Sequence, residues 1–220
     1  MIEQPQMKEV YILGVGRNTV TIMDLAEDCG YHIRSLLHYH NDRIGDDYFG
    51  HKIDGCFDDI FRLSSLAGMS FVLSMGNLSI RKTLYNRILD LGGYIPTLIH
   101  PTCVISPRAK IGRGSQIMPG SIVQGDSIVG ENTVITVNSV IAHSSKIGSH
   151  CLISGNVMVG AYSTICDNTH IGQGSTVVSG KVNRVGTNCI LGAGSVLISD
   201  MPDNSIYAGN PAHFIKSVSL

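Results

Sequence analysis

The 220-residue sequence predicts an α/β domain over residues 1–97 followed by an all-β parallel β-helix over residues 98–220. Three observations carry this. An aliphatic residue recurs at every sixth position through the C-terminal half. Apolar strand patterns alternate with helical ones before it. Only 15% of residues are charged, tryptophan is absent and glycine numbers 25, a profile that suits a β-rich solenoid better than a helical bundle.

In the N-terminal part, residues 8–13 (Lys-Glu-Val-Tyr-Ile-Leu) read as a buried strand that runs into Gly14-Val15-Gly16. A helical pattern covers 17–29, with Gly30 as its stop. Further strands are predicted over 31–37, 70–75 and 94–99, and Gly76-Asn77 opens a helix that ends near 91. Strands alternating with helices imply a small parallel sheet covered by helices. A Gly-x-Gly turn between strand and helix lets backbone approach a phosphate at the helix N-terminus. The third glycine of the dinucleotide fingerprint is replaced by Thr19, and His38-Tyr39-His40 stands where an acidic residue would close the second strand. Dinucleotide binding is therefore disfavoured. A nucleotide-linked ligand and a purely structural turn stay open.

The repeat begins at Ile99 and continues through Ile105, Ile111, Ile117, Val123, Val129, Ile135, Ile141, Ile147, Ile153, Val159, Ile165, Ile171 and Val177. Asn183 and Arg184 break the count, which resumes at Val185, Leu191 and Leu197. Four residues after most of these stands a small residue, as at Ser115, Ser121, Ser127, Ser139 and Ser145. Neither a helix nor a hairpin sheet has a period of six. A chain that makes a short strand, turns a corner and repeats has one. Three sides close a coil of eighteen residues, and each coil covers the edge of the last.

Composition narrows function by exclusion. The formal net charge of -1 carries no footprint for nucleic acid or an anionic membrane. No signal pattern and no spanning apolar run is evident, so a cytoplasmic location is expected. The six cysteines form no CxxC pair and are read as reduced thiols, and no clustered His and carboxylate set suggests a metal.

The repeat from Ile99 to Lys216, with the ending Tyr207-Ala208-Gly209-Asn210-Pro211-Ala212, resembles the left-handed β-helix of the hexapeptide-repeat acyltransferases. Gly14-Val15-Gly16, Gly76-Asn77 with Ile80-Arg81-Lys82, and Ile99-His100-Pro101-Thr102 extend the likeness to the PglD/NeuD-like bacterial sugar acetyltransferases. The resemblance implies a Rossmann-like domain that holds a nucleotide-linked sugar and a β-helix that presents acetyl-CoA. It also implies a homotrimer with active sites between subunits, and a place in bacterial surface-glycan biosynthesis. Gly14, Gly16, Asn18, His38, Tyr39, Gly76 and Asn77 are then the expected substrate contacts. Arg17 and Asn18 stand where the group usually has glycine and histidine, and His38 and Tyr39 where it commonly has paired aspartates.

Acetyl transfer from a thioester needs a base, a donor for the developing oxyanion and a slot for the pantetheine arm. Histidine titrates near neutrality and is the natural base. By register with the family motif that base is His143; the bland alternative for such a histidine is an exposed polar side chain. Eighteen residues on is Ala161, whose backbone N–H is the oxyanion candidate. The family commonly has a carboxylate after the base, where this chain has Ser144; Asp126, one coil back from Ser144, or a group of the adjacent subunit, is expected to replace it. A second family histidine is replaced by Leu152, and His150, His100, His170 and His213 have weaker support. Coenzyme A is expected along Ala161, Gln173 and Ala193, read as sharing the corner column of His143. The favoured reaction is N-acetylation of a nucleotide-linked amino sugar. O-acetylation of a sugar such as a sialic acid, and a decayed β-helix binding protein, remain as alternatives.

Overall fold

The computed structural model describes residues 8–218. The chain divides into two compact units, Met1–Pro96 and Thr97–Leu220. The first contains β1 (Lys8–Leu13), α1 (Thr19–Asp28), β2 (Tyr31–His38), β3 (Asp47–Tyr48), β4 (His51–Cys56), α2 (Phe57–Phe61), β5 (Phe71–Leu73) and α3 (Leu78–Asp90). The sheet order is β3-β4-β2-β1-β5, parallel throughout except for the antiparallel β3–β4 edge. Val10, Ile12, Leu13, Leu36 and Leu73 are sealed between sheet and helices. Burial of such a side chain contributes about 1.5–3 kcal/mol.

The predicted strand over 94–99 does not form. Tyr94 makes one isolated bridge to Ser70, Pro96 has no N–H to give a ladder, and Leu98–Ile99 pairs with Gln116–Ile117 in the other unit. β4 takes a place in the sheet that sequence reading left empty. Its segment, His-Lys-Ile-Asp-Gly-Cys, has only Ile53 as a β-branched residue, so neighbours rather than propensity place it. β5 is shorter than predicted because Ser70 makes only an isolated bridge to Tyr94, and the chain leaves the sheet after Ser74 N–H donates to Leu13 O at 2.9 Å.

The second unit carries seventeen two-residue strands from β6 (Leu98–Ile99) to β22 (Val196–Leu197), then the antiparallel hairpin β23 (Ser205–Gly209) and β24 (Ala212–Ser217). The strands stack in three parallel ladders. One runs Val104, Ile122, Val140, Met158, each paired eighteen residues on. The period-six aliphatics fill the interior, and Val123, Ile135, Ile141 and Ile165 are fully buried. The two extra residues are absorbed at the corner 179–183, where Val182 turns inward, and the ladder resumes with Thr164 opposite Arg184.

The small-residue column has a second duty that periodicity alone did not reveal. Ser127 Oγ donates to Ala142 O at 2.8 Å and Ser145 Oγ to Gly160 O at 2.9 Å, so buried hydroxyls tie each coil to the next. Glycine after the aliphatic is required by close approach: a Cβ on Gly130 would meet backbone of Gly148 and Ser149 at 2.6 Å. At the corners the second residue adopts positive φ, as at Asp126 (60°), Asn138 (56°) and Ser144 (58°), which short polar side chains tolerate.

Candidate active site

The corner that carries His143 follows the strand Val140–Ile141. His143 is exposed, and its backbone N–H donates to Gln124 Oε1 at 3.0 Å. Its Nδ1 lies 3.5 Å from Ser144 Oγ, and its Nε2 has no hydrogen-bond partner among the described residues. Ser144 Oγ in turn donates to Asp126 Oδ2 at 3.4 Å. Asp126 thus reaches the imidazole through a hydroxyl.

Pairing of Ile141 with Val159 places Ala161 one coil above His143, and Tyr162 N–H donates to His143 O at 3.4 Å. Ala161 is buried, and its N–H donates to no acceptor among the described residues. A free amide one rung from an imidazole can receive negative charge that develops beside it.

Gln173 and Ala193 do not share this corner, contrary to the sequence reading. Gly174 N–H donates to Gly155 O and Gly194 N–H to Gln173 O, so these residues stack with Gly155. The His143 column is Gly125, His143, Ala161 and Ser179, linked by Ser144 N–H to Gly125 O and by Ser179 Oγ to Ala161 O. The reason is geometric. The same hexad position recurs at three corners of each coil, and Gln173 lies twelve residues after Ala161, two sides round rather than three.

Three other histidines of the β-helix are engaged elsewhere. His150 Nδ1 is 2.9 Å from Asn132 Nδ2 on a different corner, and His100 Nδ1 is 2.8 Å from Thr102 Oγ1. His170 Nε2 meets Ser154 Oγ at 2.9 Å, and burial holds its imidazole below the usual value. Sequence reading missed Tyr162, whose ring stands edge-on to His143 with centroids 5.2 Å apart and planes at 90°. Its signal was present: an aromatic at a corner position held elsewhere mostly by Asn, Asp or Gly.

In the first unit the Gly14–Gly16 turn is fixed from within. Thr19 Oγ1 accepts from Gly16 N–H at 2.8 Å and donates to Gly14 O at 2.9 Å. Ser74 Oγ also donates to Gly14 O, and Tyr48 OH donates to Gly16 O at 2.8 Å. Thr19, which replaces the fingerprint glycine, therefore occupies the Gly16 N–H. The N–H groups of Arg17 and Asn18 donate to no described acceptor and remain for an anion.

A cavity of about 130 Å³ opens here, lined by Gly14, Gly16, Arg17, Asn18, Tyr39, Ser74, Met75 and Gly76. Gly14 has φ +91°, and a Cβ there would meet Met75 Cε at 2.9 Å and Tyr39 Oη at 3.1 Å. Of the expected contacts, His38 and Asn77 do not line this cavity. His38 Nδ1 accepts from His40 N–H at 3.3 Å, and Asn77 caps α3 by accepting from Ile80 N–H at 3.0 Å. Arg17, Ser74 and Met75 line it in addition. Tyr39 packs on Phe57 at 5.0 Å, and burial raises its phenol above the usual value.

Among the described residues no group of three or more His, Cys, Asp or Glu could hold a metal ion, and no helix is long and apolar enough to cross a membrane.

Known proteins agree with this architecture. Residues 108–143 match the family described as bacterial transferase hexapeptide (six repeats). GDP-perosamine N-acetyltransferase from Escherichia coli O157:H7 is 26% identical over 212 residues, 91% of this chain and 92% of that enzyme. A 2,3,4,5-tetrahydropyridine-2,6-dicarboxylate N-acetyltransferase from Clostridium perfringens is 37% identical over 68 residues, 31% of this chain and 23% of that enzyme. Among solved structures, the acetyltransferase domain of PglB from Neisseria gonorrhoeae superposes with a TM-score of 0.85 at 26% identity, over 94% of this chain and all (100%) of that one. A variant of GDP-perosamine N-acetyltransferase from Caulobacter crescentus, in complex with CoA and GDP-perosamine, gives a TM-score of 0.86 at 22% identity, over 96% and 99% of the two chains, and supports the fold. The coiled unit is accordingly a left-handed parallel β-helix built from the hexapeptide repeat of bacterial transferases, and along its length the chain is similar to sugar N-acetyltransferases.

Proposed function

We propose that the protein transfers the acetyl group of acetyl-CoA to the amine of a nucleotide-linked amino sugar. One observation carries the reading: an exposed imidazole at the His143 corner stands one rung from the unoccupied N–H of Ala161, in a chain similar along its length to an amino-sugar N-acetyltransferase. His143 Nε2 takes a proton from the neutral amine as its nitrogen attacks the thioester carbon. The carbonyl oxygen gains charge and meets the Ala161 N–H. The C–S bond then breaks, and the thiolate of CoA leaves and takes the proton from His143. The amide bond formed replaces the thioester broken.

Acetyl-CoA as donor is supported by the Neisseria domain in complex with acetyl coenzyme A, which has a TM-score of 0.73 to this chain at 26% identity. The cavity at Gly14–Gly16 is smaller than a typical ligand pocket of roughly 300–1,000 Å³ and fits one part of a nucleotide. Arg17 and the free N–H groups of residues 17 and 18 suit its phosphates. We place Gly14, Gly16, Asn18, Tyr39 and Gly76 on that ligand.

The outward side chains Val104, Ile122, Val140 and Met158 make one face of the β-helix apolar, with Val104 63% and Met158 42% exposed. The next face carries Lys110, Lys146 and Arg184. The apolar face leads into the His143 corner, so its burial in a homotrimer would enclose that corner. Gln173 and Ala193 would then contact CoA from a neighbouring subunit.

The test is turnover. CoA thiol release with a panel of UDP-, dTDP- and GDP-linked amino sugars should select one nucleotide, and His143→Ala should lower kcat about a hundredfold while the fold persists. Full activity of that variant would remove the base. Acetylation of a hydroxyl rather than an amine in the panel would redirect the acceptor assignment.

A further inference from the structure

The corner above His143 holds a side chain that the backbone does not favour. Along this column the left-handed position is occupied by Asp126 (φ 60°), Ser144 (58°), Tyr162 (62°) and Gly180 (70°). At the other corners it is Asn at 132, 138, 156, 168, 188 and 204, glycine at 114, 120, 174 and 194, and His150. Short polar residues and glycine fit positive φ; for a bulky side chain the conformation is an outlier that costs backbone energy. Burial does not offset that cost, because Tyr162 is 69% exposed. Its ring makes the edge-on contact with His143 at 5.2 Å. Strain of this kind at an exposed position points to function.

We propose that Tyr162 is a positioning residue for His143, an inference that rests on the base assignment above. An exposed imidazole on an open corner has several rotamers. Ser144 Oγ engages Nδ1 from the flank at 3.5 Å, and the Tyr162 ring limits the imidazole from the coil above. Together they hold the ring with Nε2 unpartnered, the nitrogen to which an acceptor amine would present its proton. Preorganisation of this kind raises kcat and leaves ground-state binding little changed.

Tyr162→Asn installs the residue found at six other corners and removes the ring. It should lower kcat about tenfold with KM for both substrates within about twofold, while Tm holds or rises. Tyr162→Phe should retain wild-type kcat, because the ring and not the hydroxyl makes the contact. In the full-length protein with ring-labelled histidine, the His143 ring-proton shifts should move in Tyr162→Asn and stay in Tyr162→Phe. Unchanged kcat in Tyr162→Asn, or a loss of rate that follows subunit dissociation or a lowered Tm, would overturn the inference. His143→Ala separates it from its premise. A dead His143→Ala beside a fully active Tyr162→Asn leaves the base in place and removes only the positioning role. A fully active His143→Ala removes both.

Discussion

Ser144 donates its hydroxyl to Asp126 Oδ2 across one coil at 3.4 Å and holds the same oxygen 3.5 Å from His143 Nδ1. The carboxylate that the resemblance leads one to expect beside the proposed base stands one coil away and touches the imidazole only through a neutral hydroxyl. A hydrogen bond of this kind contributes about 0.5–1.5 kcal/mol, roughly twofold to tenfold in rate. Asp126→Asn should therefore reduce kcat by that factor with KM unchanged. Ser144→Asp in the same chain should restore it, since aspartate already occupies the identical corner conformation at 126 (φ 60°). Steady-state kinetics of the single and double variants decide; an Asp126→Asn enzyme with native kcat excludes the relay.

Ala161 precedes the positive-φ residue of its corner, the place where a type II turn accepts proline. Ala161→Pro keeps the turn and deletes the N–H. The expected loss is about 10²–10³ in kcat, with Ala161→Gly near wild type because it retains the donor. Circular dichroism and thermal melts of the proline variant check that the coil survives. Equal activity of both variants would assign the oxyanion to another donor.

Gly14→Ala would force positive φ on an L-residue and push a methyl toward Met75 and Tyr39. Stability of the first unit should fall by about 1–2 kcal/mol. KM for the nucleotide sugar should rise more than KM for acetyl-CoA, because the altered turn lines the cavity and lies outside the β-helix. Calorimetric titration with each substrate measures the split.

His170 is half-buried against Ser154, and desolvation lowers its imidazole from 6.5. Below that pH the unfolded chain binds a proton that the folded chain resists. Stability is then full above pH 6.5 and declines as pH falls toward the folded value. His170→Gln, which still bonds but does not titrate, should flatten the Tm profile on the acid side. An unaltered profile would show that other groups carry the acid sensitivity.

The sequence by itself determined the coil. A period of six, an inward aliphatic and a small fourth residue are local instructions, and each coil only has to cover its predecessor. Counting eighteen residues also sufficed to stack Asp126 under Ser144 and Ala161 over His143. The same count, with the two extra residues at 183 and 184 allowed for, puts Gln173 and Ala193 twelve residues out of step with Ala161, so their separate corner is legible in the sequence as well. Tertiary structure decided the first unit. It alone gathered Arg17, Ser74 and Met75 around the Gly14 turn, kept His38 and Asn77 out of that cavity, and seated β4 in the sheet. Periodicity records what one chain segment does to the next. Side chains that meet across strands and coils are chosen by packing, which a linear pattern does not contain.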